Sequence, residues 1–157
     1  MTGTVYLNKI SLELNISWEL IKEAIYSDGE FRLYPRGTSM MPLLRAGIDS
    51  VILKKPDNVS INDIILYKRS NGQFVLHRVV KIKKDEYIMC GDNQFRYERG
   101  IKKENILAKV SGFYRDELFV DDANEEYKKY IKQLPRQRRK IKFKAARAKL
   151  KRILTKK

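Results

Sequence analysis

The chain has 157 residues, 43% of them hydrophobic, and a formal net charge of +15, which suits one domain with a modest core and an appendage. No run of about 18 apolar residues is present, so no transmembrane helix is expected, and the opening "MTGTVYLNKISLELN" lacks the charged start and apolar centre of a secretory signal. A single cysteine, Cys90, and a single histidine, His77, exclude an internal disulfide and a Cys/His zinc site; no cofactor is expected, and a reducing cytoplasm is the expected home.

The charge is unevenly spread. All 19 acidic residues fall between Glu13 and Glu126, whereas 15 of the 34 lysines and arginines lie from Lys128 onward. A neutral body with a cationic end is two physical objects.

In chain order, "NISWELIKEAIYSDG" predicts a helix. Asn15 can cap it, Glu19 sits in the first turn, and Leu20, Ile21, Ala24 and Ile25 form an apolar stripe. Short segments rich in β-branched and aromatic residues follow: "FRLYP", "SVILKK", "DIILYKR", "QFVLHRVVKIK", "EYIMC" and "ILAKVSGFYR". Turn sequences such as "RAG", "KPDN", "RSNG" and "GDN" separate them, the signature of a mainly antiparallel β domain. After Asp122 the period becomes helical. "ANEEYKKYIKQL" aligns Tyr127, Tyr130, Ile131 and Leu134, and Pro135 is expected to stop or kink that helix. "RRKIKFKAARAKLKRIL" then aligns Phe143, Ala146, Leu150, Ile153 and Leu154 among lysines and arginines, a basic amphipathic helix. The expected division is a β domain with its N-terminal helix over residues 1–121 and a helical, strongly basic tail over 122–157.

One stretch raises a chemical question. In "RGTSMMPLLRAG", Ser39 stands between Gly37, which permits close backbone approach, and Pro42, which biases Met41 towards extended backbone. A serine hydroxyl becomes a good nucleophile only when a base takes its proton, and His77 in "FVLHRVV" is the one imidazole on offer. A half-buried strand histidine and an ordinary loop serine account for the same residues. "CGDNQFRYERG" adds Asp92, either a carboxylate that orients the imidazole or a turn-capping residue.

Together, "GTSMMP", "VLHRVVKI" and "YIMCGDNQ" resemble the superfamily of type I signal peptidases and LexA-type self-cleaving repressors. The resemblance covers roughly residues 30–115. "His77-Arg78" is similar to the histidine-type members, in which that residue stands where bacterial members carry lysine, and "Gly91-Asp92-Asn93" matches the box that follows. The resemblance implies a signal-peptidase/LexA-like antiparallel β fold and a serine endopeptidase with a Ser39–His77 dyad. By that resemblance Ser39 is expected to attack the carbonyl, with His77 as general base and then as general acid. The same resemblance implies that the Ser39 amide, within Gly37-Thr38-Ser39, serves the oxyanion and that Met40 floors the substrate groove. Asp92 is the expected orienting residue, with Glu98 as the other candidate, because the aspartate pair that histidine-type members show before "RG" is here Tyr97-Glu98. Those members carry a membrane anchor and act outside the cytoplasm, so secretory signal peptides do not follow as substrates. Repressors of this superfamily carry a DNA-binding domain and an upstream cleavage site. Only 38 residues precede Ser39, and Ala46-Gly47 lies downstream of it, so self-cleavage is not expected.

The implied substrate is a peptide or protein segment bound as an extended strand, with small side chains near the scissile bond. The tail suits an anionic membrane surface at the inner face of the cell membrane, nucleic acid less well, or plain solvent. The rival readings are an inactive peptide-binding β domain, and a nucleic-acid- or membrane-associated protein acting through its tail.

Overall fold

The computed structural model describes residues 13–155. The stretch 1–12, part of the opening read as lacking an export signal, lies outside the described residues. Helix α1 spans Glu13–Ser27; strands β1 to β5 span Phe31–Leu33, Ser50–Lys54, Ile64–Lys68, Phe74–Lys83 and Glu86–Cys90. Strands β6, β7 and β8 span Glu98–Ile101, Ile106–Arg115 and Leu118–Val120, and helix α2 spans Glu125–Leu154. The strands form one eight-stranded sheet in the order β1-β2-β7-β3-β4-β5-β6, with β8 on β7. Every pairing is antiparallel. This is the mainly β, α+β architecture expected, with a helix before it and a basic helix after it.

The sheet has an apolar core on each face, and β3 shows why. Successive strand residues point to opposite faces; Ile64 and Leu66 enter one core while Ile65 and Tyr67 enter the other. Burial on both sides makes "IILY" a continuous apolar run instead of an alternating one. Ile21 and Ile25 of α1, Met40, Leu43 and Leu44 close the first core. Val79, Met89 and Ile101 complete the second.

Three expectations are corrected. Asn15 falls inside α1 as described, not at its cap. Leu20 is 64% exposed, because Ile21 and Ile25, one turn apart, define the buried edge. Helix α2 runs through Pro135 and does not stop there, although a proline forfeits one backbone hydrogen bond and crowds the preceding turn. Packing of the turns before it offsets that loss: Leu134 is buried, and Tyr127 and Tyr130 pack against the first core. Two strands had no predicted counterpart, β6 and β8.

Candidate functional site

Ser39 lies on a turn fixed by its backbone. The Thr38 carbonyl accepts from Met41 N at 3.2 Å, and the Met40 carbonyl from Leu44 N at 3.0 Å. The Met41–Pro42 peptide bond is cis. Arg115 Nη1 donates to the Pro42 carbonyl at 3.0 Å. Downstream, buried Asp49 accepts from Arg45 N at 2.7 Å and pairs with the Arg45 guanidinium at 2.6 Å. Burial pushes the Asp49 carboxyl up, but its hydrogen bonds from Arg45 outweigh that and hold it below the ordinary range.

The segment after β5 grips the same turn. Asn93 N donates to the Ser39 carbonyl at 2.8 Å, and Asn93 Nδ2 to the Thr38 carbonyl at 3.3 Å. A Cβ on Gly91 would lie 2.6 Å from the Ser39 carbonyl oxygen and 3.0 Å from Ser39 Cβ. Only glycine admits that approach. Cys90, one residue earlier, faces Arg78 across the β4–β5 ladder, so the Ser39 turn and the strand position of His77 are neighbours at one end of that ladder. Among the described residues, neither the hydroxyl nor the amide of Ser39 has a hydrogen-bond partner, and no hydrogen bond joins Ser39 Oγ to His77. Gly37 and Thr38 are exposed, whereas Met40, expected to floor a groove, is 2% exposed and packed in the first core.

His77 is 4% exposed. Burial pushes its pKa down to about 4, against a smaller upward pull from Glu98, so the ring is neutral at pH 7. Ile65 pairs opposite His77, Met89 opposite Val79, and Glu98 opposite Met89. That register puts Tyr67, His77 and Glu98 on one face of the sheet. The Tyr67 hydroxyl lies 3.2 Å from His77 Nδ1 and donates to Glu98 Oε2 at 2.8 Å. Arg69 donates to both Glu98 oxygens, at 2.7 and 2.6 Å. The proton order follows from these contacts. Burial and then Glu98 raise the Tyr67 phenol, which stays protonated. Burial pushes Glu98 up, but the Arg69 and Tyr67 hydrogen bonds outweigh it and hold Glu98 low and ionised. With the Tyr67 proton given to Glu98, the phenol oxygen accepts from His77 Nδ1–H. The lone pair of His77 is therefore on Nε2.

Glu98 thus reaches His77 through a phenol, and Asp92 is engaged elsewhere. Asp92 Oδ1 accepts from Arg78 Nε at 2.8 Å and Oδ2 from Arg78 Nη2 at 2.6 Å. Tyr130 donates to Oδ2 at 3.1 Å, and Arg138 Nη2 stands 3.6 Å from Oδ1. Both side chains of the Arg78–Asp92 pair are fully buried. Arg78 also donates to the Asn62 carbonyl at 2.7 Å and to Tyr127 at 3.0 Å. The sheet explains the separation: His77 and Arg78, adjacent on β4, point to opposite faces. Sequence reading missed Tyr67, whose only signal was its place two residues along the strand from the partner of His77.

Beside Glu98 lies a cavity of about 500 Å³ bounded by Asn93, Gln94, Tyr97, Arg69 and Ile141 of α2. Among the described residues no group of three His, Cys, Asp or Glu side chains gathers as a metal site, and no helix is long and apolar enough to cross a membrane.

No protein-family model matches the chain. Over 93 residues, 59% of the chain, it is 29% identical to the LexA repressor of Leuconostoc mesenteroides, and it has the same identity over the same length to that of Leuconostoc citreum. It spans 43% and 44% of those proteins, less than half of each. The similarity is distant and partial, and it points to a LexA/signal-peptidase-like peptidase domain.

Proposed function

We propose that the protein is a serine endopeptidase in which Ser39 is the nucleophile and His77 the base. One observation carries the reading: the hydrogen-bonded chain from His77 through Tyr67 to Glu98, which fixes the imidazole with Nε2 as its basic nitrogen. A third residue in a triad does the same work, holding tautomer and orientation and balancing the imidazolium that forms. Here a phenol stands between the two. Distant similarity to LexA repressors and the free amide and hydroxyl of Ser39 support the same chemistry.

In the reaction Ser39 Oγ adds to the peptide carbonyl while its proton passes to His77 Nε2. The Ser39 amide donates to the developing oxyanion. His77 then gives the proton to the leaving amine, and water hydrolyses the acyl-enzyme by the same relay. A substrate is needed to complete the Ser39–His77 hydrogen bond, which catalytic pairs often tighten only in the complex. The substrate class is a peptide or protein segment in extended form. A cytoplasmic setting fits the free, buried Cys90.

Burial of His77 favours a second reading, a domain that binds extended peptides without cleaving them. Incubation with a complex peptide mixture, read by mass spectrometry, separates the two. New termini are expected with the wild type, with turnover lost by at least a thousandfold in Ser39→Ala and His77→Ala. Cleavage that persists in Ser39→Ala refutes the mechanism. Peptide capture with equal affinity in wild type and Ser39→Ala, without new termini in either, establishes the binding module.

A further inference from the structure

Helix α2 has two apolar faces at two different places. Its first half is fastened to the body: Leu134 is buried, Tyr127 and Tyr130 pack on the first core, Tyr130 and Arg138 reach Asp92, and Ile141 edges the cavity. These positions recur every three or four residues, so they form one face of the helix. Beyond Ile141 the helix leaves the body, and Phe143, Leu150, Ile153 and Leu154 are 66, 58, 59 and 69% exposed. A helix turns about 100° per residue, which places these four and Ala146 on one stripe opposite the docked face. The stripe therefore cannot be buried by the sheet that holds the first half.

What flanks the stripe identifies what it fits. Lys142 and Lys149 fall along one edge by the same helical geometry, and Lys144, Lys151 and Arg147 along the other. Arg147 sits 6.0 Å from the centre of the Phe143 ring. No acidic residue occurs after Glu126. We propose that residues 142–154 of α2 lie flat in the interface of an anionic lipid bilayer, the stripe entering the acyl boundary and the flanking lysines reaching lipid phosphates.

The alternatives fit less well. A second copy of the helix meeting it along the stripe would set lysine against lysine on both flanks, where paired helices need opposite charges. Nucleic acid would take up the cations, since phosphate contacts supply its non-specific affinity, but gives the four large apolar side chains nothing to enter. A bilayer surface accepts both. Lysine stems lie along the apolar region while their ammonium groups stay at headgroup level, and each cation near an anionic leaflet adds to binding. The segment is about 20 Å long, too short to span the hydrocarbon and well suited to lying in its surface.

The test is sedimentation of the full chain with vesicles of phosphatidylcholine alone and of phosphatidylcholine mixed with phosphatidylglycerol. Two variants accompany it: Phe143→Ser/Leu150→Ser/Ile153→Ser, which keeps every charge, and Lys142→Gln/Lys144→Gln/Lys149→Gln/Lys151→Gln, which keeps the stripe. All seven positions are exposed, and circular dichroism of each variant checks the fold. Binding is expected only with phosphatidylglycerol present, weakened at least tenfold in either variant. A serine-substituted stripe that binds as tightly as the wild type overturns the proposal, as does equal binding to neutral vesicles. RNA or duplex DNA bound tightly under conditions where vesicles are not reassigns the helix to nucleic acid. Ser39→Ala is expected to sediment like the wild type, so failure of the peptidase reading leaves this result intact.

Discussion

His77 and Arg78 are consecutive residues of one strand, both almost fully buried, and the protein treats them in opposite ways. Arg78 faces a complete counter-charge: two hydrogen bonds to Asp92, one to a backbone carbonyl, one to Tyr127. Burial works against its charge, but the Asp92 hydrogen bonds outweigh that and hold the guanidinium more basic than usual. His77 faces a neutral phenol, with the carboxylate one step further away, and burial makes it a weaker base than a free imidazole. The first arrangement locks a charge and, through Asp92, ties α2 to the segment that grips Ser39. The second keeps a titratable ring neutral and held through one phenol. Direct pairing gives structure; pairing through an intermediate leaves a group able to take up a proton.

The largest effect is expected where the direct pair is broken. Asp92→Ala leaves the Arg78 guanidinium buried without its counter-charge, and removing one partner of such a pair costs about 3–5 kcal/mol. Urea denaturation should show that loss. The double variant Arg78→Met/Asp92→Leu should recover much of it, since no buried charge is stranded. A single variant that costs less than about 1 kcal/mol would mean that water reaches the pair and the contrast with His77 is empty.

The next effect belongs to His77 and depends on pH. Its folded pKa of about 4 lies below the ordinary value of 6.5, so between those values the unfolded chain binds more protons than the folded one. Stability therefore falls as pH drops from 6.5 towards 4. The full difference is about 3 kcal/mol at 1.36 kcal/mol per unit. Denaturation midpoints across this range should slope in the wild type and flatten in His77→Gln, whose amide keeps a donor for Tyr67. The acid limb of kcat/KM should likewise lie nearer 4 than 6.5; a limb at 6.5 with no difference in slope would place the imidazole in water.

These two residues also mark what could be read from the sequence. Their strand was legible, as were β1 to β3, β5, β7 and both helices, because apolar runs and turn residues announce them locally. Strand β6, "ERGI", was not: its charges and glycine carry no strand pattern, and only pairing with Tyr87 and Met89 makes it one. The run of α2 through Pro135 was equally hidden, since the packing of Tyr127 and Tyr130 on the first core and the burial of Leu134 arise only in the folded chain. At the site, Ser39, His77 and Glu98 were visible as residue types, but which carboxylate serves His77 depends on register. Asp92 lies nearer to His77 in sequence than Glu98 does, yet the pleat sends Arg78 to it. Tyr67 became visible only once Ile65 was known to face His77.

Tyr67→Phe isolates that hidden link at the smallest cost in stability. It deletes one oxygen while keeping the ring that fills the second core, so the loss is two hydrogen bonds, to His77 and to Glu98. About 1–2 kcal/mol is expected by denaturation, because Glu98 keeps both contacts from Arg69. Turnover should suffer more than folding. Without the phenol oxygen, His77 Nδ1–H loses its acceptor, the imidazole is free to change tautomer, and the forming imidazolium is cut off from Glu98. A fall in kcat of about a hundredfold with KM unchanged is the expected result. Glu98→Gln, which keeps an acceptor for the Tyr67 hydroxyl but removes the charge, should fall between the wild type and Tyr67→Phe. Should Tyr67→Phe retain full kcat while Glu98→Gln loses it, the carboxylate would be acting on His77 across space, and the phenol would be core packing with a hydroxyl attached.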